Sequence, residues 1–322
     1  MNNKTMAERV EAYLAYRHTL GYQLHKEGQR LRSFARFADA AGYQGPLTTE
    51  IALRWARLPK QAARHYQARR LSVVRTLARY LAAREPGTEI PPRHLLGPTQ
   101  SRRTPFIYSE ADIAALLQAA RALEPASDLG RGTYATLLGL LACTGLRIGE
   151  ALAMRHDDVN WSTAVLTIRA SKFRKPRLVP VHATAIEPLR NYALVRDRHH
   201  PPLREGAFFL SDRGRPLRYE SVRQTFRALL RQAMPTVTSA GRTRPRLHDL
   251  RHTVAVRCVL GWYRQGIDIH RVIDQLAAYL GHTKVSCTYW YLTGVPELFA
   301  LAAERFESFA AAVLEVTDDT DL

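Results

Sequence analysis

The chain has 322 residues, 46% of them hydrophobic and 24% charged, enough apolar material for about two globular domains at roughly 150 residues each. No run approaches the roughly 20 apolar residues of a membrane span, the start MNNKTMAERVEAYLAYR lacks the apolar core of a signal peptide, and Cys143, Cys258 and Cys287 are too few and too scattered for a disulfide framework or a Cys-rich zinc site. With 47 Lys plus Arg against 29 Asp plus Glu, the net charge of +18 favours a polyanion, nucleic acid before an anionic membrane, because each neutralised phosphate releases condensed counterions. The expectation is a cytoplasmic, nucleoid-associated protein with no membrane partner.

Up to Thr104 there are 19 Lys plus Arg against 7 Asp plus Glu, so most of the net charge lies in the first third of the chain. Residues 5–84 read as helices. From Glu27 to Ala41, Leu31, Phe34, Phe37 and Ala38 recur at helical spacing, and Thr48 and Thr49 stand as an N-cap before IALRWARL. From Gln61 to Arg84, Leu71, Val74, Leu77, Ala78 and Leu81 form one apolar stripe, which reads as core. Arg64, Arg69, Arg70, Arg75 and Arg79 fall largely outside the stripe, and the first four are candidate DNA contacts, since a planar guanidinium suits phosphate. This predicts a helical DNA-binding domain over 1–90. Residues 91–105 are rich in Pro and Gly, lack periodicity and read as a linker.

A second domain, 106–322, opens with the cap-like Ser109-Glu110 and the helix ADIAALLQAARAL. AVLTIR (164–169) and RLVPV (177–181) are strand-like, joined by a basic turn that holds Lys172, Arg174 and Lys175. The helical pattern resumes near Pro188, HHPPLREG and PTVTSAGRTRP read as loops, and helices continue to about Glu315. The fold class is therefore mainly α with a small antiparallel β-sheet. The basic positions Arg174, Lys175, Arg242 and Arg244 join the candidate DNA contacts.

Four local signals follow one another in this domain. They are Arg147 in TGLRIGEAL, Lys172 in the hairpin turn, His248 and Arg251 in HDLRH, and His282 with Tyr291 nine residues later in LGHTKVSCTYWY. Each alone has an ordinary reading. Arg147 could simply pair with Glu150, Lys172 could be solvated, and His248 or His252 could cap a helix. Tyr289 and Tyr291 could be packing residues. Together they resemble the catalytic domain of the tyrosine recombinases (phage integrase family). That family carries an Arg in T-G-L-R-x-x-E, a Lys in a hairpin before R-L-V-P, an H-x-x-R-H, and a Tyr nine residues after L-G-H. The resemblance covers about 104–295, and a weaker one likens 5–84 to the helical core-binding domain.

The resemblance implies a strand-transfer enzyme that needs neither metal nor ATP and no cofactor. Arg147 and Arg251 would hold the non-bridging oxygens of the scissile phosphate, with His282 adding a hydrogen bond. Tyr291, whose phenol has an ordinary pKa of about 10, would attack with His248 as base and Lys172 as acid to the leaving 5′-oxygen. The product is a 3′-phosphotyrosyl bond. Tyr289 competes with Tyr291, and Lys175 with Lys172; the nine-residue spacing and the hairpin register favour the first of each pair. The expected partner is double-stranded DNA with inverted half-sites, bound by a homodimer per site and a tetramer in synapsis, with room for an accessory protein. The stretch from Arg251 to His282 looks longer than in cell-division recombinases, and CTYWYL followed by PELF resembles integrases carried by transposons. That points to integration, excision or resolution of a mobile element.

Over 296–314, Leu298, Leu301, Ala302, Phe306, Phe309 and Val313 share one helical face, expected to dock on a neighbouring protomer. Rival readings are a type IB topoisomerase, a DNA-binding protein without chemistry, and a zinc hydrolase using His248 and His252. HDLRH and LGH weigh against the first, the complete set of reactive residues against the second, and the missing Glu with an intervening Arg251 against the third.

Overall fold

The computed structural model describes residues 4–99, 104–169, 176–201, 206–239, 245–282, 284–289, 303 and 307. The chain divides into two compact units, Met1–Arg103 and Thr104–Leu322.

The first unit is helical: α1 (Met6–Thr19), α2 (His25–Ala40), α3 (Thr49–Arg57) and α4 (Arg64–Ala82). Thr5 and Glu8 form a reciprocal capping box that satisfies the first amides of α1. The stripes read from the sequence face one core, in which Leu31, Phe34, Ile51, Trp55, Val74, Leu77 and Leu81 are buried. Thr48 is the N-cap of α3 by backbone position, without a side-chain capping bond.

Two expectations for this unit need correction. Part of the 91–105 stretch belongs to the unit, because Arg75 donates to Pro91 O (2.7 Å) and Pro92 O (2.6 Å) and Leu96 packs against the core. Arg75 is therefore only 8% exposed and is an internal brace, not an outward phosphate contact. Arg70 is half-buried, lies 3.7 Å over the Trp55 ring and donates to Trp55 O at 2.9 Å, so much of its donor capacity is also spent inside the unit. Arg64 and Arg69 are exposed.

The second unit begins with α5 (Glu110–Arg121), capped by Ser109 and Asp112, and α6 (Asp128–Thr144). After the short α7 (Ile148–Leu152), a three-stranded antiparallel sheet follows in the order β1 (Val159–Asn160), β2 (Val165–Ile168), β3 (Arg177–Pro180). The β2–β3 register sets Ile168 opposite Arg177. Then come α8 (Ala183–His199), α9 (Tyr219–Ala233), α10 (Pro235–Ser239), α11 (Leu247–Arg264), α12 (Ile269–Leu280) and the single turn α13 (Ser286–Tyr289). One core joins α5, α6, the sheet, α8 and α9; a smaller one, with Val256, Val259, Ile273, Leu276 and Leu280, joins α11 to α12. Among the described residues, no helix is long and apolar enough to cross a membrane.

Candidate active site

The site is built around the C-terminal end of α12. The last carbonyls of any α-helix lack partners within the helix, and the peptide dipoles leave that end negative. Three consecutive carbonyls here each receive a guanidinium. Arg177 Nε donates to Tyr279 O at 2.9 Å, Arg251 Nη2 to Leu280 O at 2.6 Å, and Arg147 Nη2 to Gly281 O at 2.8 Å. The three arginines come from β3, α11 and the turn before α7, so one helix end gathers side chains that lie far apart in sequence.

Two glycines make this gathering possible. Gly145 and Gly281 sit in the left-handed region, at φ of 63° and 67°, as the C-caps of α6 and α12. The Gly145 carbonyl accepts from Arg251 Nη1 at 2.8 Å. Arg251 is thus held between two helix ends, at 2% exposure.

Arg147 stands just before α7 and is more open, its side chain 23% exposed. Its Nη1 donates to Glu150 Oε1 at 2.7 Å, and its backbone amide to Oε2 at 3.1 Å. Glu150 is buried and also accepts two bonds from Arg177, at 3.1 and 2.8 Å. Burial raises the Glu150 pKa, but the hydrogen bonds from Arg177 and Arg147 outweigh it and hold the carboxyl below its ordinary value. The ordinary reading of Arg147 as Glu150's partner is therefore correct, and compatible with a catalytic place.

The histidines lie in the field of these guanidiniums. His248, in the first turn of α11, meets the His252 ring edge to face at 4.8 Å. Desolvation by the surrounding protein, then Arg251, Arg246 and Arg147, push its pKa down to about 4. His282 follows the Gly281 cap; desolvation, then Arg251 and Arg147, lower it to about 4 as well. Its Nδ1 pairs with Thr288 Oγ at 2.8 Å, which ties the residue after α12 to α13. Both rings are thus neutral near pH 7, able to accept a proton or to share a hydrogen bond. Tyr289, the rival nucleophile, has its hydroxyl 3.1 Å from His270 Nδ1.

Of the residues singled out in the sequence, the structure brings together Arg147, His248, Arg251 and His282. Tyr291, Lys172, Arg174, Lys175, Arg242 and Arg244 lie outside the described residues, as does all of 296–314 except 303 and 307. Sequence reasoning used Arg177 only to mark the hairpin register and assigned no role to Gly281. Both stand within quoted motifs, RLVP and LGH, but their contact with each other is visible only in the folded chain.

Comparison with known proteins agrees with this fold. Residues 108–295 match the phage integrase family. The chain is 41% identical over 310 residues to "Putative integrase/recombinase y4rB" of Sinorhizobium fredii, covering 94% of this chain and 97% of that protein. It is 29% identical over 228 residues to tyrosine recombinase XerC of Chlamydia caviae, covering 69% and 65%. Among solved structures, the Tn1549 transposon integrase in complex with circular intermediate DNA aligns with a TM-score of 0.70 at 14% identity, over 95% of this chain and 100% of that one. XerH bound to palindromic difH aligns with a TM-score of 0.65 at 17% identity, over 87% and 78%. These likenesses in structure extend to a helical N-terminal domain followed by a catalytic domain. The chain belongs to the phage integrase family of tyrosine recombinases.

Proposed function

We propose that this protein recombines the DNA of a mobile element at specific sites, with Tyr291 as the nucleophile. The observation that carries the reading is the convergence of Arg147, Arg251, His248 and His282 on one helix end. Two guanidiniums fixed by backbone carbonyls present positive charge where an attacked phosphodiester gains negative charge, and little reorganisation is needed at the moment of reaction. His248 is neutral and can take the Tyr291 proton; His282 can donate to the phosphate once its tautomer is set by Thr288. Lys172, which follows β2 and precedes β3 in the chain, is the proposed acid for the leaving 5′-oxygen. The engagement of the Tyr289 hydroxyl with His270 supports Tyr291 over Tyr289.

A role in moving an element rather than in chromosome maintenance is supported by the near full-length similarity to y4rB, which is described as an integrase/recombinase. The working assembly is a dimer on inverted half-sites and a tetramer in synapsis, a neighbour with the same fold being the lambda integrase tetramer on a Holliday junction. The first unit reads the half-site, with Arg64 and Arg69 on phosphates. Segment 296–314 docks on the next protomer.

The test is covalent capture. DNA trapped on the wild-type protein is digested, sequenced and resynthesised as a duplex. Tyr291→Phe should bind that duplex as the wild type does and form no adduct. An adduct that persists in Tyr291→Phe and vanishes in Tyr289→Phe would move the nucleophile to Tyr289. If the trapped sequences share no site and the protein relaxes any plasmid, the topoisomerase reading replaces this one.

A further inference from the structure

We infer that Arg177 is a positioning residue for the phosphate-binding Arg147, acting through Glu150, and that Gly281 lacks a side chain in order to admit the Arg177 guanidinium. The inference rests on the strand-transfer function proposed above.

One buried carboxylate is shared by two guanidiniums. Glu150 Oε1 takes Arg147 Nη1 at 2.7 Å and Arg177 Nη1 at 3.1 Å, while Oε2 takes Arg177 Nη2 at 2.8 Å and the Arg147 amide at 3.1 Å. The side chains of Glu150 and Arg177 are 3% and 12% exposed, so water screens their pairing poorly. The triad carries a net charge of +1. Without Arg177, Glu150 and Arg147 become a neutral pair, and the carboxylate draws Arg147 toward itself. The positive field at the phosphate falls, although Arg147 is untouched.

Sterics point the same way. A Cβ at Gly281 would lie 2.8 Å from Arg177 Nη1 and 2.9 Å from its Cζ. The guanidinium lies against the bare Cα of the residue whose carbonyl anchors Arg147. Arg177 Nε also holds Tyr279 O, so its planar fork fixes the carboxylate and the helix end at once. A lysine could supply the charge but not both attachments.

The test uses the duplex recovered from the wild-type adduct, made with either a phosphodiester or an uncharged methylphosphonate at the scissile position. On the phosphodiester, single-turnover cleavage by Arg177→Gln should fall by about 30- to 100-fold, the scale for misplacing a catalytic group by about 1 Å. On the methylphosphonate, which has less charge to stabilise, the gap to wild type should shrink to about threefold or less. Arg177→Lys should lie between the two. Gly281→Ala should cost more cleavage in the wild type than in Arg177→Gln, where the clash has gone. Equal rates for wild type and Arg177→Gln on the phosphodiester would overturn the inference, as would a defect of the same size on both substrates. If Arg177→Gln fails to fold by thermal melt, Arg177→Lys and Gly281→Ala decide the matter by the same two substrates. Absence of any wild-type adduct would sink this inference together with the functional reading; a wild-type adduct with an unaffected Arg177→Gln would sink this inference alone.

Discussion

The two units use arginine in opposite ways. In the first, Arg9, Arg70 and Arg75 turn inward to Gly45 O, Trp55 O and the Pro91 and Pro92 carbonyls, while Arg64 and Arg69 stay exposed. Arg9 and Arg75 hold loop segments onto helices, Arg70 ties α4 to α3, and the exposed remainder provides a diffuse positive surface. In the second unit, Arg147, Arg177 and Arg251 meet on three consecutive carbonyls at the end of α12, and the segment they hold is the proposed reactive site. The same bond, guanidinium to backbone carbonyl, is architecture in one place and preorganisation for chemistry in the other. Counting arginines cannot separate these uses; the identity of the carbonyl does.

The largest expected effect is at Arg251. Arg251→Ala should slow adduct formation by about a thousandfold, the upper range for loss of one preorganised charge donor. It should also lower stability by about 3 kcal/mol, because the buried Gly145 and Leu280 carbonyls lose their donor. Adduct kinetics and urea unfolding measure the two effects. An unchanged urea midpoint would break the claim that architecture and chemistry coincide here.

Next is Glu150→Gln, expected to cost about 3 kcal/mol at neutral pH by leaving two guanidiniums facing a neutral amide. The Glu150 pKa is lowered in the folded state, so its contribution is complete above the ordinary glutamate range. It is lost as pH falls through the lower folded value. The gap between Glu150→Gln and wild type in urea melts should therefore close on acidification below about pH 4. A gap that stays constant with pH would mean that Glu150 is held by packing rather than by charge.

A smaller effect is expected in the first unit. Arg75→Ala should lower stability by about 2 kcal/mol, through two lost carbonyl partners and lost stem packing. It should leave the salt dependence of DNA binding as in the wild type. Smallest in stability are Arg64→Ala and Arg69→Ala, expected to leave the urea midpoint unmoved. Each should reduce the slope of log K against log salt by about 1. If Arg75→Ala changed the slope and Arg64→Ala did not, the division between inward and outward arginines would be reversed.

These expectations show what was legible in the sequence. The helices of the first unit follow from apolar residues at helical spacing, and the β2–β3 hairpin from its Val and Ile runs. Arg147, His248, Arg251 and His282 stand out because a known order of motifs links them, although each alone has an ordinary reading. Arg75 was misassigned because its neighbours on α4 define the stripe, whereas its own burial comes from residues 91 and 92 folding back over it. That contact is non-local and leaves no periodic trace. Arg177 was overlooked for the same reason. Its partners, Glu150 and Tyr279, are 27 and 102 residues away, and only the folded chain shows that one carboxylate serves two arginines.

The shared helix end has a consequence for safety. Arg147, Arg177 and Arg251 each bond a carbonyl at the end of α12, and His282 follows its cap, so a local opening of that turn loosens all four together. Arg251 still has the Gly145 carbonyl, and Arg147 still has Glu150, so the opening weakens each anchor without releasing it. For a protein of a family that breaks and rejoins DNA, such an opening would slow both directions together.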